Sequence, residues 1–371
     1  MDENTVVVPH RSRKRHKNEK PSAGKTIARV ILVLLTTILA IVLALVIVLS
    51  TIINGPSPSA RDTFVTTVLE SGNLKFLAEV FLSEDEINAI VAKTSMKEME
   101  TDVNKELINT ETDDVEGNFD ENGIEIKEIN GNGFFATLMI VKDPSKVHVG
   151  STYPWSEYGK TLDKIVKEAG AIAGVNGGLY AADMNKGGSP YGVCVSKGEI
   201  QYNNPSGWAG LYMIGFDRND ILRIEKIEGW TKAKFEQYVA DEGIRDAVAF
   251  QDELSDSNNH FVPLVINGET RELNGAGSGA NPRTVIGQRA DGAVLLLVTD
   301  GRGADSHLGA TASDLISIMI EEGAVNAANL DGGSSSCMCY KDDYLMHSVT
   351  FYYRNSSWKL PTAFVVMGGE Q

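Results

Sequence analysis

Cysteine is scarce in this 371-residue chain, with only Cys194, Cys337 and Cys339. An odd number of thiols cannot all pair internally. Cys337, Cys339 and His347 lack the second C-x-x-C or H-x-H element that a four-ligand zinc site needs. We therefore read small buried cysteines or one disulfide, and expect no metal and no cofactor. Basic residues are also short, 34 Lys and Arg against 50 Asp and Glu, for a net charge of −16. No basic stripe exists to neutralise phosphates, which argues against nucleic acid as a partner. The AGKT at Ala23–Thr26 is not a Walker A loop, because Glu19 stands where its first glycine belongs. No G-x-S-x-G elbow is present, so Ser334, Ser335 and Ser336 do not read as a serine nucleophile.

Long apolar runs are absent after Ile53. One precedes it: Val30 to Ile53 are 24 consecutive uncharged, mostly apolar positions. As a helix they span a hydrocarbon core of roughly 30 Å. The run is longer than a signal-peptide core and no A-x-A cleavage site follows it closely, so we expect one uncleaved transmembrane helix over residues 30–53. Before it, eight Lys and Arg against three acids give residues 1–29 a charge of +5, leaving −21 for the rest. Positive flanks stay inside, which predicts a basic cytoplasmic tail, able to touch anionic lipid, and an acidic extracellular part of a single-pass cell-membrane protein.

In the outer part, NGPSPSARD (residues 54–62) reads as a linker, and residues 59–97 as two or three short helices. Ser83 and Glu86 have capping-box spacing. From Glu98 to Gly123, ten acids against Lys105 alone suggest a solvated stalk or hinge. These features make residues 54–123 a helical juxtamembrane segment with an acidic linker. From residue 124 to 371 strand-like runs dominate: residues 133–141, 146–150, 171–175, 283–287, 293–298 and 362–368, with Asn267-Gly268 and Asp291-Gly292 as turn signals. The best helix is TASDLISIMIEE, with Thr311 as N-cap, Asp314 in its first turn and Gly323 as terminator. Strands punctuated by helices imply an α+β domain around a mixed sheet.

One grammar occurs three times. An apolar strand stops at Asn176-Gly177-Gly178, at Asp300-Gly301-Arg302, and at Asp331-Gly332-Gly333 followed by Ser334. A hairpin turn explains any single instance. Three of them, none leading straight into a matching strand, point to polar strand ends that converge on a site. A fourth piece, GAGSGANPRTVIG (residues 275–287), is not a dinucleotide fingerprint, because Asn281-Pro282 stands where a helix must begin. It reads as a flexible loop delivering Asn281, Arg283 and Thr284. An arginine fork with glycine-rich backbone beside it suits phosphate oxygens, and a surface salt bridge is the alternative. Arg302 would share the phosphate or pair with Asp300. His307, alone, reads as surface or packing.

The segments NGGLY, NPRTVIGQRADG, VTDGRG and GATASDLISIMIEEGAVNAANLDGGSSS resemble the phosphodiester glycosidase family over roughly residues 125–369. The resemblance implies a hydrolase that splits a sugar-1-phosphodiester, of the N-acetylglucosamine-1-phosphate type, in a cell-envelope or exopolysaccharide glycopolymer. Breaking that bond leaves positive charge on the ring and negative charge on the departing phosphate. On this reading Asp331 is the leading nucleophile or base, Asp300 a second carboxylate or orienter, Arg283 the phosphate clamp, and Asn176 a hydrogen-bond donor to substrate. Gly177, Gly178, Asn281, Thr284, Arg302, Gly332, Gly333 and Ser334 complete the substrate-binding set. A module that binds phosphorylated glycopolymers without turnover is the alternative.

Overall fold

The computed structural model describes residues 23–71, 74–111, 115–181, 185–252, 260–349 and 356–369, so most of the basic tail expected at 1–29 lies outside the described residues. The chain divides into two compact units, one up to Pro56 and one from Ser57 onward. In the first, α1 (Ala23–Asn54) is a 32-residue helix whose large apolar side chains from Ile27 to Val48 are exposed. About 48 Å long, it is long and apolar enough to cross a membrane. It begins upstream of Val30 because AGKTIAR contains no helix breaker except Gly24, which falls in the first turn.

The second unit opens with α2 (Pro58–Leu69), α3 (Phe76–Glu79) and α4 (Glu84–Lys93). Ser57 accepts from the Ala60 amide and Pro58 occupies the first helical position, so α2 starts inside the stretch expected to be a linker. The Ser83–Glu86 capping box forms. Val65, Val68 and Leu69 meet Ala78, Ile87 and Ile90 in a small core shared by the three helices.

The acidic stretch 98–123 differs from its expectation. Val103 and Ile108 are buried in the main core and Val115 in a second one. Each such side chain contributes on the order of 1.5–3 kcal/mol, enough to hold the segment down while most of its acids face water. The Asn104 amide donates to Asn267 Oδ1 at 2.8 Å and the Asn109 amide to Ala290 O at 2.8 Å. Lys105, its lone lysine, sits 2.6 Å from Glu242. Hydrogen bonds from Lys105 and then Arg223 hold the Glu242 carboxyl down at about 2. Residues 112–114 of this stretch lie outside the described residues.

Besides a two-stranded pairing of 95–96 with 273–274, three larger sheets follow among the described residues. The seven-stranded sheet runs in the order 269–270, 263–266, 324–329, 284–289, 294–299, 135–141, 124–130. A five-stranded sheet runs 343–346, 338–340, 171–176, 362–367, 147–151, and another 199–203, 193–196, 244–251, 211–217, 222–226. The class is α+β, and every strand pairing among the described residues is antiparallel rather than mixed. Tight turns account for part of this: Lys197-Gly198 and Asn267-Gly268 both take left-handed backbone, the geometry of two-residue hairpins. Met139, Val175, Ile214, Phe216, Ile286 and Phe364 form one core drawn from all three sheets. Helix α5 (Leu162–Glu168) packs on the first five-stranded sheet and α6 (Lys232–Glu242) on the other. Helix α7 (Ala312–Glu321), with its Thr311–Asp314 capping box, covers the outer face of the seven-stranded sheet.

Candidate functional site

Strand ends from two sheets meet at one place. In the seven-stranded sheet Asn329 lies opposite Val285 and Thr284 opposite Val298, so the strand ending at Asn329, the strand starting at Thr284 and the strand ending at Thr299 expose polar neighbours side by side. Asn176 closes a strand of the other sheet and reaches across. Its Nδ2 donates to the Asp331 carbonyl at 2.6 Å, and its Oδ1 accepts from Thr284 Oγ1 at 2.7 Å and from the Cys337 amide at 3.2 Å. Asn176 and Thr284 are fully buried. Both polar atoms of the Asn176 amide group are thus engaged within the protein, Nδ2 on the Asp331 backbone and Oδ1 on Thr284 and Cys337, a different task from the substrate contact expected of it.

A cavity of about 100 Å³ opens beside this junction, lined by Asn281, Arg283, Arg302, Asp331, Gly332 and Gly333. Asp331 is half-buried, and its Oδ1 accepts from the Gly332 amide at 3.0 Å. Burial raises its carboxyl to about 6, against the opposing pull of Ser335, the Gly332 amide and the Arg302 charge. Arg283 is 5% exposed, and its guanidinium lies 4.8 Å over the Phe261 ring. Its Nη2 donates to Gly279 O at 2.9 Å, to Ser278 Oγ at 3.3 Å and to Glu70 Oε2. Arg302 takes left-handed backbone, donating from Nη1 to Ser334 Oγ at 2.9 Å and from Nε to Asn281 Oδ1 at 3.4 Å. Although Arg302 is solvent-accessible as a residue, protein atoms crowd its guanidinium. That crowding and the Arg283 charge lower its affinity for the proton, with Asp331 and Glu70 pulling the other way.

The two glycine pairs have different surroundings. A Cβ on Gly333, whose φ is +63°, would stand 2.6 Å from Arg302 Nη2, and one on Gly332 3.0 Å from Pro282 O, so the second pair lets Arg302 lie across the turn. A Cβ on Gly177 or Gly178 would instead strike Thr362 or Ala249 O. The first pair packs two strands together and does not line the cavity. The loop before Arg283 is less flexible than its glycines imply, since Ser278, Ala280 and Asn281 are buried.

Asp300 is not brought into the cavity. Its Oδ1 accepts from the Phe135 amide at 2.7 Å and its Oδ2 meets His307 Nδ1 at 2.7 Å. Arg302 turns to Ser334 and Asn281 instead of Asp300. The second carboxylate at the cavity belongs to Glu70, the residue that closes α2. Its Oε1 accepts from the Gly279 amide at 2.6 Å and its Oε2 from Asn281 Nδ2 at 3.0 Å, besides the Arg283 ion pair, and its side chain is 3% exposed. Phe250, His260 and Asn329 complete the lining. Of these, Asn329 carried a readable signal, because it ends its strand two positions before the Asp331 turn. Glu70 and His260 have no local motif that ties them to the site.

A half-buried carboxylate facing two guanidiniums can take up positive charge at one point while an anion is held at another. Residues 169–367, more than half of the chain, match the family model described as phosphodiester glycosidase. Over 65 residues, 18% of this chain, the sequence is 43% identical to the SPbeta prophage-derived uncharacterized protein YomE of Bacillus subtilis (strain 168). That stretch is 10% of YomE, so the chain spans about a tenth of the length of this curated relative. Among solved structures, the zebrafish N-acetylglucosamine-1-phosphodiester alpha-N-acetylglucosaminidase catalytic domain, auto-inhibited by its pro-peptide, is similar with a TM-score of 0.49 at 17% identity, over 66% of this chain and 82% of that one. A hypothetical protein from Synechocystis gives a TM-score of 0.43 at 15% identity, over 66% and 62%. By the extent of the family match, the chain belongs to the phosphodiester glycosidase family.

Proposed function

We propose that the chain is a single-pass, membrane-anchored hydrolase that splits a sugar-1-phosphodiester in a glycopolymer of the cell envelope or exopolysaccharide, with its second unit on the outer side. An N-acetylglucosamine-1-phosphate linkage is the expected type. The observation that carries the reading is the sharing of one cavity by Asp331, Arg283 and Arg302. Asp331 would stabilise or attack the anomeric carbon, and its carboxyl, raised to about 6, is mostly ionised at neutral pH. The arginines would take the phosphate oxygens as the leaving group departs. Asn176 and Thr284 would act at one remove, by holding the Asp331 backbone. The α1 helix and the basic residues before it support the anchor and its orientation.

A binding module without turnover is the second reading. What favours it is that Glu70 already pairs with Arg283 through Nη2. Incubating the full-length protein in detergent with N-acetylglucosamine-1-phosphate methyl diester separates the two readings. Release of free sugar, abolished by Asp331→Asn, supports the hydrolase; saturable binding with no sugar released supports the module.

A further inference from the structure

Two polar atoms at the cavity have no partner among the described residues: Asn329 Oδ1 and His260 Nδ1, both buried. Leaving a buried polar group unpaired costs roughly 1–3 kcal/mol, and such groups call for something that completes them. The orientation of the Asn329 amide is settled by its other end, since Nδ2 donates to Phe261 O at 3.1 Å while the Asn329 backbone amide donates to Val262 O at 2.9 Å. The unpaired atom is therefore an acceptor in a fixed place. His260 is held by its ring, 5.4 Å from that of Phe250 and tilted 37° to it, with no hydrogen bond to Nδ1 among the described residues.

These two residues complement the rest of the lining. Arg283, Arg302 and Asn281 supply donors, the chemistry of an anion subsite. Asn329 and His260 are uncharged: burial, with the nearby Arg283 and Lys75 charges, depresses the His260 imidazole to about 4. A phosphate oxygen carries no hydrogen to satisfy Asn329 Oδ1, whereas a sugar hydroxyl does. Asn329 also ends its strand two residues before Asp331 and lines the same cavity as the carboxylate assigned to the anomeric carbon.

We propose that Asn329 and His260 form the sugar subsite of the cavity, Asn329 accepting a hydrogen bond from a ring hydroxyl and His260 making a second contact, so that they set which sugar is accepted while the arginines take phosphate. The inference rests on the glycosyl-phosphate reading of the site and names its sugar-facing wall. It makes both specificity residues, not catalytic ones.

Calorimetry on the full-length protein in detergent tests it, with inorganic phosphate, N-acetylglucosamine 1-phosphate, glucose 1-phosphate and the 3-, 4- and 6-deoxy forms of glucose 1-phosphate as probes. Wild type should bind a sugar phosphate more tightly than inorganic phosphate, and one deoxy form should lose about tenfold, the size of one hydrogen bond. His260→Phe, which removes no side-chain hydrogen bond found among the described residues, and Asn329→Leu should each lower sugar-phosphate affinity about tenfold and leave inorganic phosphate unchanged. In Asn329→Leu the penalty for one deoxygenation should vanish. Should Asn329→Leu fail to fold, the same comparison on His260→Phe decides. Equal loss for phosphate and sugar phosphate, no loss for either, or a wild type that binds both alike would overturn the proposal. A wild type that shows the sugar preference yet releases no sugar from the diester would cancel the hydrolytic reading and leave this one standing.

Discussion

Asn176 donates its side-chain amide to the main-chain carbonyl of Asp331 at 2.6 Å, joining the end of a strand in one sheet to the turn that leaves another. Aspartate is not equivalent at position 176. Asn176→Asp keeps the acceptor but sets a carboxylate oxygen against a buried carbonyl, and Asn176→Ala leaves that carbonyl, the Thr284 hydroxyl and the Cys337 amide unpaired. Either variant should lose about 2–4 kcal/mol of stability, read from urea unfolding, with activity falling because Asp331 is no longer held.

Asp331 itself should show the opposite sign. Its carboxyl is raised from 3.8 to about 6, so between those values the folded state holds the proton more tightly than the unfolded state. Its contribution is therefore most favourable below about pH 4, declines as pH climbs to about 6, and is constant above. Asp331→Asn should flatten this part of the stability profile and raise the melting temperature at pH 7, while sugar release falls by roughly 10³ or more. Wild-type turnover should have an acidic limb near pH 6. A variant with full activity would return Asp331 to the role of turn residue.

Glu70 and Arg283 are both nearly inaccessible to water, so removing one strands the other. Glu70→Ala should destabilise the second unit by about 3–5 kcal/mol. Glu70→Gln, whose single amide oxygen can still accept from Asn281 and Arg283 while its NH2 faces the Gly279 amide, should lose less. Guanidinium unfolding monitored by tryptophan fluorescence measures both.

Gly178 and Gly333 look alike in sequence and should respond differently. In Gly178→Ala the new methyl meets the Ala249 carbonyl at 2.3 Å, a fixed backbone atom, and the protein should be lost to misfolding or melt many degrees lower. In Gly333→Ala it meets the movable end of Arg302, so the fold should survive with about 1 kcal/mol of left-handed strain. Phosphate binding should then weaken. Thermal melts beside phosphate titrations separate the two glycines.

The strands, the capped helix α7 and the motif around Asp331 could be read locally because each is written within a few residues: alternation, a capping box, a glycine pair. Asp300 illustrates where this stops. It has the same strand-end grammar as Asp331, but its carboxylate is taken by the Phe135 amide and His307, partners remote or unremarkable in sequence. Glu70 is the converse, a residue with no motif that reaches the site because α2 packs beside the Gly279 loop. Composition alone misreads the acidic stretch: the three well-spaced apolar residues Val103, Ile108 and Val115 outweigh many solvated charges, and composition averages them away.

Glu70 also bears on where the second unit can be parted from α1. It sits one residue past the end of α2, and α2 starts soon after α1 ends. A cut between α1 and α2 would keep Glu70 joined to the rest of the cavity wall. A cut after α2, even one that spared every residue of the family match, would release a fragment with Arg283 bared of its counter-ion. In sequence, the boundary of the working unit therefore lies close to the end of α1, well upstream of the boundary drawn by kinship.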